Sequence, residues 1–94
     1  MSAAPDDDVA SRLRRVLVRL DGLPDRDRDS IRVLVEAGEW TVALENLCTQ
    51  IFELDIETDE ATDDELHGLG ELLDVHTAYL LGDPWATRDD RGGT

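Results

Sequence analysis

The sequence predicts a small, all-α, antiparallel bundle in a single domain, with four main helices and room for a short fifth. Three observations predict it. Apolar residues recur at spacings of three and four in four separate stretches, which marks one buried stripe on each of four helices. The stretches are parted by turn residues (Asp21-Gly22, Gly38, Gly82-Asp83-Pro84) or by an acidic run. No segment shows the strict alternation of a half-buried strand. Ninety-four residues suit one domain. With 40% apolar residues and only four Phe, Trp or Tyr, the core is expected to be small, aliphatic and modest in stability.

The first helix is expected over residues 8–20, after a flexible segment 1–7. Val9, Leu13, Val16, Leu17 and Leu20 form its stripe, and Arg12, Arg14, Arg15 and Arg19 fill the other face. Asp6, Asp7 and Asp8 stand where the positive end of its dipole would lie. Asp21-Gly22 stops this helix and Leu23-Pro24 restarts the chain. The second helix runs from residue 24 or 25 to 37, with Ile31, Leu34 and Val35 inward and Val33 to the side. Gly38 is its left-handed cap.

The third helix spans about residues 39–54 and is the most periodic. Trp40, Ala43, Leu44, Leu47, Cys48, Ile51, Phe52 and Leu54 give it a broad apolar face, so it is expected to be central. The loop before it is too short for anything but an antiparallel neighbour. In the fourth helix, Thr62-x-x-Glu65 is a capping-box signal, and Leu66, Leu69, Leu72 and Leu73 form the stripe, with Val75 as an extension. Gly68 and Gly70 lie inside it at a cost of roughly 1 kcal/mol each relative to Ala, which marks either a close crossing or a weak helix. Residues 77–81 have the length of one more turn. The domain is expected to end near residue 86, with 87–94 as a disordered tail.

Charge is distributed unevenly along this frame. Arg32 is followed by no Arg or Lys until Arg88, and residues 33–87 carry fourteen acids. The net charge of −14 belongs to that window, because nine acids and nine arginines in the flanks cancel. Such a window forms no internal salt bridge and repels itself. It also attracts a basic partner at long range, although the same charge serves solubility. A single cysteine excludes an internal disulfide and fits a reducing cytosol. Residues 1–8 have neither a basic side chain nor an apolar run, so no secretory signal is expected. No apolar segment approaches the roughly 18 residues of a membrane span. The absence of lysine beside abundant Arg, Ala, Asp and Gly matches a GC-rich bacterial coding bias. The expected location is therefore the bacterial cytoplasm.

Most chemistries find no support. Asp55-x-Glu57-x-Asp59 begins like a calcium loop, but Glu60 replaces the sixth-position glycine and Leu66 the twelfth-position acid. Asp64 precedes His67 by three residues, whereas a di-iron bundle needs two such pairs, and His76 has Leu73 at that spacing. No metal is expected. Cys48 falls on the apolar face of the third helix, with no adjacent cation to activate it. Ser2, Ser11 and Ser30 lack a nucleophile elbow. No pair of carboxylates is set apart from the other acids, so no catalytic residue, cofactor or enzymatic activity is expected. Seven acids interleave with or flank the seven arginines of the first 32 residues. Direct nucleic-acid binding is therefore not expected, and the arginines are expected to pair with acids.

Residues 31–53 carry a resemblance. An apolar helix leads into Ala37-Gly38-Glu39, then Ala43-Leu44-Glu45-x-Leu47, then an apolar pair and Glu53. This pattern resembles the MafI-type immunity proteins of bacterial polymorphic toxin systems. The similarity in size, acidic run and leucine-patterned fourth helix extends over residues 13–81. The resemblance implies a small intracellular inhibitor, encoded beside a toxin gene, that binds the toxin's C-terminal domain. Such toxins are often nucleases with basic grooves, which an acidic surface can fill or flank.

Within the motif, Gly38 serves a turn, and Ala43, Leu44 and Leu47 serve the core. Glu39 stands at a helix N-terminus that stabilises a carboxylate. The expected toxin-binding residues are the acids beyond the third helix: Glu53, Asp55, Glu57, Asp59, Glu60, Asp63, Asp64 and Glu65. Seven of them fall in the eleven residues 55–65, around the least regular segment. The bland counterpart is a solvated acidic loop. Two other classes compete: a helical adaptor or regulator anchored on Tyr79 and Trp85, and a nucleic-acid mimic acting on a DNA-binding protein. A monomer or weak dimer is expected.

Overall fold

Five helices follow one another in the computed structural model, which describes residues 5–82, with side chains from residue 9: α1 (Pro5–Arg19), α2 (Asp25–Glu36), α3 (Trp40–Glu53), α4 (Glu60–Leu73) and α5 (Thr77–Leu80). No strand occurs among the described residues. Trp85 and the expected tail lie outside them. α3 packs against all four other helices, as its broad apolar face requires, while α2 packs on α1 and α3. The three-residue connection 37–39 turns the chain back on itself between α2 and α3.

The core is aliphatic. α1 contributes Val9, Leu13, Val16 and Leu17, and Leu20 just past its end completes the expected stripe. Ile31 and Val35 come from α2, and Ala43, Leu44, Leu47, Cys48 and Ile51 from α3. Leu66 and Leu69 come from α4, with Leu23 and Val75 closing the ends. Each fully buried Leu contributes roughly 1.5–3 kcal/mol relative to exposure. Three expected core residues turn outward. Phe52 and Leu72 are each 57% exposed and Leu54 45%. Leu72 stands one position off the line from Leu66 to Leu69, and buried Thr62 and Gly70 fill the face instead.

Helix ends explain the boundaries. α1 begins at Pro5, three residues before the expected start, where the fixed φ of proline suits the first helical position. α2 and α3 both end in a Schellman motif. In α2, Gly38 at φ 81° lets its N–H reach the Val35 carbonyl and the Glu39 N–H reach that of Leu34. In α3 the left-handed residue is Asp55, at φ 52°. Its N–H reaches the Phe52 carbonyl at 3.2 Å, and the Ile56 N–H reaches Ile51 at 2.9 Å. Asp74, at φ 60°, closes α4, where the Asp74 and Val75 N–H groups both reach the Gly70 carbonyl, so Val75 does not extend the helix.

The capping box expected at Thr62 and Glu65 does not form. α4 starts three residues before Thr62's expected cap, with Asp59 as N-cap, and Thr62 is buried in the first turns. Asp59 Oδ1 accepts the Thr62 backbone N–H at 2.8 Å. An acid thus takes the capping role because its carboxylate reaches the free N–H groups and favours the dipole.

The two glycines of α4 have different neighbours. A Cβ on Gly70 would lie 2.7 Å from the Val75 carbonyl oxygen and 2.8 Å from Thr77 Cγ2. Gly70 therefore allows the turn into α5 to fold back onto α4. A Cβ on Gly68 would meet the Arg12 guanidinium at 2.9 Å, so this gap seats a side chain from α1.

Candidate functional site

The loop 54–59 between α3 and α4 is pinned at both ends, by the Schellman bonds of α3 and by the Asp59 cap of α4. Six of the eight acids expected to bind a partner are exposed, with Asp63 and Glu65 half-buried. Three of the eight are taken up within the molecule. Glu65 Oε2 accepts from Arg12 Nε at 2.6 Å and lies 3.9 Å from Arg15. Asp63 Oδ1 accepts from the Thr58 hydroxyl at 2.6 Å. Asp59 caps α4.

Asp59 is held below the usual carboxylate range. Its hydrogen bond with the Thr62 side chain is the largest cause, followed by the Thr62 N–H, with the Arg19 charge assisting. A lowered folded pKa stabilises the fold above the ordinary value of 3.8, and this contribution is lost as pH falls through the lower folded value.

Glu53, Asp55, Glu57, Glu60 and Asp64 remain. They are exposed, and among the described residues none of them forms an ion pair. Three further arginines are engaged elsewhere. Arg14 pairs with Glu36 at 3.2 Å, and Arg32 with Asp29 at 2.9 Å. Arg28 donates to the carbonyl of Leu17, to that of Leu20 at 3.2 Å and to that of Leu23 at 2.9 Å. It thereby caps the C-terminal end of α1, where a cation also favours the dipole. The sequence signal for this role is a single Arg following the Asp21-Gly22 stop, which pattern alone does not separate from Arg26.

Two depressions share Phe52, and one of them borders this acidic loop. A cleft of about 420 Å³ is lined by Ile51, Phe52, Asp55, Thr58, Asp63 and His67, among others. A groove of about 390 Å³ is lined by Thr49, Phe52, Tyr79, Leu80 and Gly82. Phe52 borders both, a role that its helical spacing conceals.

The remaining candidates resolve simply. Cys48 is fully buried, and desolvation pushes its thiol up to about 12, so it is protonated and inert at neutral pH. His67 Nδ1 lies 3.0 Å from the Thr77 hydroxyl, where it ties α4 to α5. Leu66 is fully buried and cannot serve as a calcium ligand. Among the described residues, no group of three or more His, Cys, Asp or Glu side chains is gathered as a metal site requires. No described helix is long and apolar enough to cross a membrane. No family model matches the chain, and no curated protein or solved structure matches it.

Proposed function

We propose that the chain is an immunity protein that binds and neutralises a basic bacterial toxin domain, acting stoichiometrically in the cytoplasm and without catalysis. One observation carries this reading. Glu53, Asp55, Glu57, Glu60 and Asp64 stand exposed around a pinned loop, and no Arg or Lys occurs from residue 33 to the end of the described residues. Exposed carboxylates around a loop whose backbone is pinned at both ends draw a cationic surface in at long range. The similarity of residues 31–53 to MafI-type immunity proteins supports the same reading and supplies the class of partner.

The structure refines the choice of variant. Asp59 and Asp63 hold α4 and the loop, so neutralising them would confound binding with folding. Asp55→Asn, Glu57→Gln, Glu60→Gln and Asp64→Asn remove four charges and leave the observed hydrogen bonds in place. The test is co-expression with the toxin domain encoded beside this gene, with association and dissociation rates measured across salt. The wild type should protect and form a 1:1 complex. The folded quadruple variant should associate more slowly and with weaker salt dependence. If any of its acids is buried against a cation, dissociation should also quicken, by roughly 2–5 kcal/mol for each truncated pair. A wild-type chain that neither protects nor forms a complex sinks the reading. Unchanged rates in the variant exclude this surface.

A further inference from the structure

Phe52 has no role in the core that would explain its place. It is 57% exposed at the C-terminal end of α3, and shares a groove with Tyr79, 46% exposed. A protein with only four aromatic residues of these types places two of them in solvent around one groove. The Phe52 ring is positioned from one side by Gly82, at φ 111°, where an added Cβ would fall 2.9 Å from Phe52 Cε1. Phe52 lines two surfaces of opposite character. The Tyr79 groove is mainly apolar, and the other cleft presents Asp55 and Asp63. Asp55 makes no ion pair among the described residues.

We propose that Phe52 is the anchor of a protein-docking site, and that its occupant is a partner segment carrying a large apolar side chain followed within one helical turn by Arg or Lys. The apolar side chain enters the groove between Thr49 and Tyr79 and packs on one flank of Phe52. The cation crosses the ring, where the aromatic face attracts it, and ends at Asp55 and Asp63. Charge complementarity selects the occupant, since residues 33–82, which line both depressions, include no Arg or Lys. An aromatic anchor ringed by charge supplies residence time, which long-range steering alone does not. The inference rests on the inhibitory reading for what the partner is, and it adds which chemistry on the partner is recognised.

The experiment uses the full chain and three 12-residue helical peptides. The first carries one Trp with Arg three and four residues beyond it, the second has that Trp as Ala, and the third has both Arg as Gln. Isotope-labelled protein is titrated with each and followed by nuclear magnetic resonance. The first peptide should shift Phe52, Asp55, Asp63 and Tyr79, and added salt should weaken it. The other two should bind about tenfold or more weakly, as should the first peptide to Phe52→Ala or Tyr79→Ala. Val33→Ala, on α2 and lining neither depression, should bind as wild type.

Equal affinity for all three peptides, or for Phe52→Ala, overturns the proposal. Shifts that follow protein concentration without peptide assign the surface to a second copy. Contacts from residues 83–94 to Phe52 in the free chain assign it to this chain's own tail. Either result overturns it as well. If a toxin complex is lost with the quadruple acid variant but kept by Phe52→Ala, this inference fails and the inhibitory reading stands. If the peptide binds at Phe52 and no toxin domain does, the reverse holds.

Discussion

Asp55 occupies a backbone position that suits glycine. At φ 52° it closes α3 by the same motif that Gly38 supplies to α2. Left-handed backbone disfavours a side chain, although a short polar one such as Asp is better tolerated than most. Asp55→Gly should therefore raise stability by up to about 1 kcal/mol in urea denaturation, less whatever glycine adds to the entropy of the unfolded chain. The same change should weaken a basic partner, because it deletes the carboxylate that lines the cleft beside Phe52. Asp74→Gly, at φ 60° and the end of α4, is the comparison that should gain stability without that loss. A stability gain at Asp55 with partner affinity intact would show that the acid there is merely tolerated. The cap residues were only partly legible in the sequence. Gly38 announces itself, whereas Asp55 and Asp74 are two acids among twenty-three.

At the scale of elements, helical periodicity located the four main helices, since α1 to α4 each bury three- and four-residue spacings against one core. It failed at the ends. Thr62 and Glu65 have the residue types of a capping box, but burial claims Thr62 and an arginine 53 residues away claims Glu65. A local rule gave way there to tertiary contacts that no local pattern encodes. The glycines of α4 were equally ambiguous until their neighbours were visible, and they yield a paired prediction. Ala at either position gains roughly 1 kcal/mol in helix propensity. At Gly70 the new methyl meets a backbone carbonyl at 2.7 Å, so the turn to α5 must shift and the variant should be destabilised. At Gly68 it meets the end of the Arg12 side chain, which can move more cheaply. Gly68→Ala should therefore be clearly more stable than Gly70→Ala in thermal melts. Equal losses at both would mean that Arg12 is held as rigidly as backbone.

Over the whole molecule, one property acts on two processes with opposite signs. The net charge of −14 lies in a single-sign window, residues 33–87. Among the described residues, ion pairs hold two α1 arginines against α4 through Glu65, and join Arg14 to Glu36 and Arg32 to Asp29. The carboxylates of the loop are left to repel one another, and that repulsion opposes the compact state. Salt screens it, with a Debye length of about 10 Å at 0.1 M. The melting temperature of the isolated chain should therefore rise between 10 mM and 300 mM sodium chloride, concentrations chosen because the screening length falls severalfold between them, from about 30 to about 6 Å. Association with a basic domain should slow over the same range, since its steering is screened by the same ions. Neutralising Asp55, Glu57, Glu60 and Asp64 should flatten both responses together, raising low-salt stability while lowering the low-salt association rate. If the variant flattens only the association rate, loop repulsion does not limit stability. If it flattens only the melting response, the partner is steered by acids elsewhere on the surface. Coupled flattening would establish that this loop retains its repulsion because the repelling charges are the ones that meet the partner.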